Sequence, residues 1–263
     1  MNSNNWSSKL LYDNFMGKWS RLIAQKFLLW LRETNNVNTK SWLDVGCGTG
    51  ALTYEIANNF SPSHILGLDP SPEYLPNNTM QDIIEFMVGN SSQIPVNGEI
   101  YDYVVSGLAL NFMDDKAASI GEMKRVLKHT GCLALYVWDY SGQMEFLRIF
   151  WDAAGEIKPE AKKLDEGVQF PVCKKPALIK LFTESQLKEI KLTELIIDTK
   201  FKDIEDYWKP FLGGQGPAGS FLISLNESDR KLIKYKIMKH LGISKDEPIN
   251  LKARAYAIQG KKL

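Results

Sequence analysis

Several common protein classes are excluded by what this sequence lacks. Its 263 residues hold only three cysteines, Cys47, Cys132 and Cys173, an odd number without C-x-x-C spacing, so neither a disulfide framework nor a zinc site is expected. Histidine is as scarce: His64, His129 and His240 stand far apart, and no metal site follows from them. No run approaches the roughly twenty apolar residues that cross a bilayer, and the opening MNSNNWSSKLLYDNF has no apolar signal core. The expectation is a cytoplasmic protein without membrane insertion. An excess of one charge is missing too. The net charge is +1, and acids are interleaved among Lys158, Lys162, Lys163, Lys174 and Lys175, which does not suit a nucleic-acid partner.

What is present is an ordinary globular composition, 44% hydrophobic and 24% charged, in a chain long enough for one large α/β domain. Short apolar runs at 41–45, 64–68, 84–88, 101–105 and 132–138 alternate with helical patterns, the signature of a doubly wound, mostly parallel sheet. A helix is expected over 18–31, with Ile23, Phe27, Trp30 and Leu31 on one side, and another on Leu52, Ile56 and Phe60. A third carries Ile120, Met123, Val126 and Leu127, capped by Asp114 and Asp115 and ended by Gly131. A helix over 176–188 and strands near 189–199 and 250–258 complete seven strands. The expected organisation is a single domain over 1–263 with a ligand-binding half at 41–138. The insertions 139–175 and 201–249 are expected to form a helical lid, with FLGGQGPAGS at 211–220 as a mobile loop.

The strongest local signal is LDVGCGTG at 43–50, a buried strand running through glycines into an amphipathic helix. Glycines permit the tight turn and a close approach of ligand to the main chain. Gly46, Gly48 and Ala51 also fit the looser dinucleotide pattern G-x-G-x-x-A. Asp44 argues against a pyrophosphate, which it would repel, and for a ligand with an amino group.

LDVGCGTG resembles the first motif of the class I S-adenosylmethionine-dependent methyltransferases, and the family's order continues to about residue 138. The resemblance implies a Rossmann-like methyltransferase fold, S-adenosylmethionine as methyl donor and S-adenosylhomocysteine as product. It implies donor contacts at Asp44, Gly46, Cys47 and Gly48. GLDPSPEYL resembles the second motif, which places the ribose hydroxyls on Asp69 with Pro70 and Ser71 alongside; a carboxylate can accept both hydroxyls. VGNSSQIPV resembles the adenine segment. Asn90 stands where the family usually has Asp, its side-chain carbonyl still able to accept from the exocyclic amine, with Ser91 and Ser92 following. SGLALNF is similar to the segment lining the methionyl side and implies Ser106 and Leu108. YDNFMGKWSRLIA resembles the lead-in of small-molecule members near the ubiquinone- and menaquinone-type enzymes, implying that Tyr12, Met16, Trp19 and Arg21 close over the donor.

Methyl transfer from a sulfonium needs alignment and exclusion of water more than a catalytic nucleophile, so no catalytic residue is fixed by sequence. Asp139 and Tyr140, past the fifth strand, and Gln215 are the candidates. Neither an N/D-P-P-Y/F motif nor a Pro-Cys pair is present, which favours a small, partly apolar acceptor beside Phe146, Trp151, Trp208 and Phe211. Two other functions use the same loop: an NAD(P)-dependent oxidoreductase and a non-catalytic S-adenosylmethionine-binding module. The methylated atom and the oligomeric state are not specified by these residues.

Overall fold

The computed structural model describes residues 17–76 and 82–263. The expected donor residues Tyr12 and Met16 lie outside them. In chain order the elements begin with α1 (Lys18–Thr34), β1 (Ser41–Val45), α2 (Ala51–Asn59), β2 (His64–Asp69), β3 (Ile84–Val88) and β4 (Tyr101–Gly107). They continue with α3 (Lys116–Val126), β5 (Leu127–Trp138), α4 (Glu145–Ile157), α5 (Glu166–Gln169) and α6 (Lys175–Glu184). The chain closes with β6 (Lys188–Phe201), α7 (Ile204–Leu212), α8 (Gly216–Ser224), α9 (Glu227–Leu241) and β7 (Ile249–Lys261). The seven strands form one sheet in the order β3-β2-β1-β4-β5-β7-β6, and β1 pairs in parallel with both β2 and β4. The doubly wound α/β expectation therefore holds.

The chain divides into two compact units. The first comprises Ser20–Val137, Val172–Leu195 and Ala255–Leu263, and the second takes in Trp19, Trp138–Pro171 and Ile196–Arg254. In the sheet unit the core follows from strands buried on both faces. Trp42 of β1 is fully buried, stacked between Phe60 at 5.6 Å and Tyr103 at 4.3 Å. Ile23, Phe27 and Leu31 turn inward from α1, and Phe27 packs on Tyr136 of β5.

Asp115 alone caps α3, accepting from the Ala118 N–H at 2.9 Å. That helix ends at Val126, and Leu127 opens β5, so the expected stop at Gly131 is corrected. Leu127 pairs with Tyr101, and Cys132 with Tyr103, across a register shift. The extra residues bulge outward, with Thr130 at φ 66°. Main-chain bonds from Thr130 to Lys262 and from Lys262 to Gly131 fix the bulge.

In the helical unit aromatic rings pack against one another. Phe150 stacks on Phe211 at 4.6 Å, Trp151 meets Phe221 at 5.7 Å, and the Tyr207 hydroxyl donates to the carbonyl of Phe146 at 2.5 Å. Phe146, Trp151, Trp208 and Phe211 are all buried, so they are the core of this unit. The mobile-loop expectation for 211–220 is also corrected. Only residues 213–215 separate α7 from α8, and Gly219 lies so close to Gly214 that an added Cβ would stand 2.9 Å from its carbonyl carbon. The glycines there serve close backbone packing.

Candidate functional site

β1 delivers Asp44 and Val45 to a loop that turns on three glycines in the left-handed region, Gly46 at φ 75°, Gly48 at 51° and Gly50 at 83°. Side chains rarely adopt this conformation. The loop's N–H groups are largely taken. Those of Gly46 and Cys47 both donate to the Leu68 carbonyl, at 2.7 and 3.1 Å, and that of Gly50 donates to Cys47 at 2.9 Å. The Gly48 N–H donates to Oδ2 of Asp69 at 2.9 Å. What the glycines leave open is space at Gly48, where an added Cβ would meet nothing within 4 Å. At Gly46 it would stand 2.4 Å from the Cβ of Ala109.

Asp44 is buried. Its Oδ2 accepts the Thr53 hydroxyl at 2.7 Å, while Oδ1 has no partner. Thr53 lies in the first turn of α2. Burial pushes the pKa of Asp44 up to about 7, with the charge of Asp69 adding to the rise and the Thr53 bond opposing it.

Asp69 closes β2 and is buried. Oδ2 accepts from Gly48, and Oδ1 accepts the Ser71 N–H at 2.9 Å, leaving each oxygen one further lone pair. Burial raises its pKa, opposed by those two main-chain bonds. Pro70 is exposed beside it. Cys47 is a buried thiol, driven upward in pKa by burial and by the charges of Asp44 and Asp69, and so unreactive at neutral pH.

The adenine segment follows β3. Oδ1 of Asn90 accepts from both the N–H and the hydroxyl of Ser92, each at 2.9 Å, and the Ser91 hydroxyl shares a bond with Ser119 at 2.8 Å. Both lone pairs of that Asn90 oxygen are occupied, so it can accept from a ligand amine only if the Ser92 hydroxyl rotates away.

The exit of β4 completes the region. Asp44 and Val105 are register partners, so Ser106 follows at once. Its hydroxyl is buried without a partner. Leu108 takes φ 60°, its N–H held by the Tyr136 carbonyl at 2.9 Å, and the chain then places Ala109 against Gly46. Asn111 sits in the short 3-10 turn that follows, 5% exposed, with neither amide atom partnered. Sequence reasoning missed Thr53, Ala109 and Asn111. Asn111 lies inside SGLALNF, and an Asn in an otherwise apolar run was the available signal.

Residues 43–135 match a family model described as "Methyltransferase domain". That stretch, from β1 to within β5, is similar to a methyltransferase domain. A malonyl-[acyl-carrier protein] O-methyltransferase of Hahella chejuensis is 34% identical over 94 residues, 35% of this chain and 34% of that one. A demethylmenaquinone methyltransferase of Bacillus subtilis is 27% identical over 204 residues, 69% of this chain and 87% of that one. The chain spans about a third to a half of the length of the first curated relatives it matches. Among solved structures, phosphoethanolamine N-methyltransferase 2 of Haemonchus contortus, in complex with S-adenosyl-L-methionine, superposes with a TM-score of 0.56 at 14% identity. The superposition covers 90% of this chain and 52% of that one, a likeness of fold.

The remaining candidates sit apart from the loop in the chain. Arg21 lies on the exposed face of α1. Trp19 is buried between Phe146 at 5.0 Å and Phe201 at 5.3 Å, in the aromatic core of the helical unit. The Asp139 carboxylate accepts the N–H groups of Gly142 and Gln143, both at 3.0 Å, and the Arg254 guanidinium at 2.6 Å. It fastens the turn after β5 to β7. Tyr140 is buried against Phe170 at 5.5 Å. Gln215 is buried before α8, its Nε2 donating to Gly213 at 3.4 Å. Among the described residues no helix is long and apolar enough to cross a membrane.

Proposed function

We propose that this protein transfers a methyl group from S-adenosylmethionine to a small-molecule acceptor. One observation carries the reading. A carboxylate stands at the end of β1 and another at the end of β2, flanking a glycine loop whose N–H groups are already bonded. A dinucleotide pyrophosphate would meet the carboxylate of Asp44, and the first turn of α2, where such a group would sit, is engaged by Asp44 through Thr53. An ammonium and a ribose diol find acceptors instead. The unpartnered Oδ1 of Asp44 and the open face of Gly48 fit such a ligand.

In this reading Asp69 accepts from the ribose hydroxyls while its main-chain bonds hold it in place. Asp44 and Ser106 receive the polar end of the methionyl tail, Leu108 and Gly48 line it, and the turn 90–92 borders the adenine. When bound, S-adenosylmethionine supplies an electrophilic methyl group on a cationic sulfur, which passes to a nucleophilic acceptor atom and leaves S-adenosylhomocysteine. The chain's own part is to orient the two reactants and shut out water.

The stretches 139–175 and 201–249 lie outside the matched domain, and we assign them to acceptor selection, with Gln215 as their polar candidate. The name of one relative, which acts on demethylmenaquinone, supports a small, partly apolar acceptor, whereas that of another names a malonyl group on a carrier protein. The three buried thiols, Cys47, Cys132 and Cys173, suit a reducing cytoplasm. Calorimetric titration with S-adenosylhomocysteine and with NAD tests the reading. Binding of the first alone is expected, and binding of NAD alone would return the chain to the oxidoreductases.

A further inference from the structure

Asn111 presents an unmet requirement that the donor reading does not use. Its side chain is buried, and both Nδ2 and Oδ1 lack any partner. A buried amide in that state destabilises the fold, because each atom has given up water for nothing. Unpaired polar groups of this kind persist where a ligand completes them. The placement is specific. Asn111 follows Ala109, which packs on Gly46 of the glycine loop, and the chain reaches it through Leu108 at φ 60°. A non-glycine residue held in the left-handed region is strain that the local structure sustains.

Resting on the methyl-transfer reading, we propose that Asn111 reads the acceptor, and that the group it reads is uncharged and carries both a donor and an acceptor, such as a hydroxyl or an N–H beside a carbonyl. Nδ2 needs an acceptor and Oδ1 needs a donor. A hydroxyl or a carboxamide meets both, whereas a carboxylate or phosphate meets only Nδ2 and sets its charge against Oδ1. Among the described residues the other buried polar groups at this end of the sheet, Asp44, Asp69 and Ser106, comprise two acids and a neutral hydroxyl, and they offer an anionic acceptor no cationic side chain. Discrimination by buried polar groups is strong, because an analogue lacking the right partner leaves them unpaired. Burial of Asn111 also means that the acceptor reaches it through a local opening and excludes water once seated.

The test uses Asn111→Leu, which keeps the branched shape and removes the unmet groups, in the full chain. Its thermal midpoint is expected to rise by a few degrees, its affinity for S-adenosylhomocysteine to stay within about twofold of wild type, and its methyl transfer to fall at least tenfold. Transfer is read with methyl-labelled S-adenosylmethionine and the small-molecule fraction of a cell extract. Labelled product from the wild type is then treated with mild alkali, which releases methanol from methyl esters but leaves ethers and N-methyl groups intact. Label retained is the expected result. A lowered midpoint or an unfolded variant makes Asn111 a structural residue and overturns the proposal. So does a loss of S-adenosylhomocysteine binding, unchanged transfer, or label released as methanol. If the wild type binds S-adenosylhomocysteine but labels nothing, the methyl-transfer reading itself fails and takes this one with it.

Discussion

The main-chain N–H of Gly48 donates to the carboxylate of Asp69 at 2.9 Å, so the glycine loop after β1 is tied to the end of β2 through a single side chain. Asp69 thereby has two tasks, holding the loop and facing the ligand. Asp69→Asn separates them poorly by design: it preserves shape but turns one acceptor oxygen into a donor opposite Gly48 or Ser71. Affinity for S-adenosylhomocysteine should fall by an order of magnitude or more, with a thermal midpoint lower by several degrees. Calorimetry showing unchanged affinity would remove Asp69 from the donor site.

Asp44 gives a pH prediction whose sign can be worked through. Its carboxyl titrates near about 7 in the free protein, raised from 3.8 chiefly by burial. Between those values the folded chain holds a proton that the unfolded chain has released, so this group's contribution to stability falls as pH rises from about 4 to 7, then levels. Glu166, raised from 4.5 to about 7 chiefly by burial, adds to the same slope. Ligand binding runs the other way. An ammonium beside Asp44 favours the ionised form, so affinity for S-adenosylhomocysteine should climb with pH up to about 7, by at most tenfold per pH unit, and flatten above. Binding below pH 7 should release a proton, visible as a buffer-dependent calorimetric enthalpy. Asp44→Asn should abolish the slope; a slope that survives it belongs to another group.

The contrast between Asp44 and Asn90 shows how far residues alone could lead. The strand preceding the glycines and the acid at its end are local features, so periodicity and residue type placed β1, the loop and Asp44 correctly. The partner Thr53 is nine residues on, and only the fold of α2 brings its hydroxyl within 2.7 Å. At Asn90 the residue type was read correctly as an acceptor, but the turn closes on Ser92 and uses that capacity internally. Leu127 fits both the apolar stripe of α3 and the start of β5. Pairing with Tyr101 decides for the strand, a tertiary choice that no helical pattern records. FLGGQGPAGS reads as a flexible loop until the approach of Gly219 to Gly214 shows why those glycines are needed inside a packed helical pair.

In the helical unit, the pair formed by Asp139 and Arg254 predicts a stability effect without a donor effect. Asp139 is almost wholly buried and accepts from two main-chain N–H groups as well as the guanidinium. Asp139→Ala removes the ion pair to Arg254 and takes the side-chain acceptor from the Gly142 and Gln143 N–H groups, a change that costs about 1–3 kcal/mol. Denaturant unfolding should report that loss, while S-adenosylhomocysteine affinity of the folded fraction stays unchanged. A catalytic role would appear instead as lost transfer at nearly full stability.

Two glycines two residues apart should behave oppositely. A Cβ at Gly46 would stand 2.4 Å from that of Ala109, whereas one at Gly48 would meet nothing within 4 Å. Both positions have positive φ, 75° and 51°, so each alanine substitution carries about 1 kcal/mol or more of backbone cost. Only Gly46→Ala adds a collision inside the protein, and overpacking of that kind costs about 1–3 kcal/mol further. Gly46→Ala should therefore unfold at clearly lower denaturant and bind the donor poorly because the β4 exit is displaced. Gly48→Ala should lose little stability yet weaken S-adenosylhomocysteine at least tenfold, since its methyl group enters the space the ligand uses. Circular dichroism with calorimetry on both variants separates the cases. Should Gly48→Ala bind as tightly as wild type, the open face of this loop does not receive the donor, and the ligand must be placed elsewhere along the sheet.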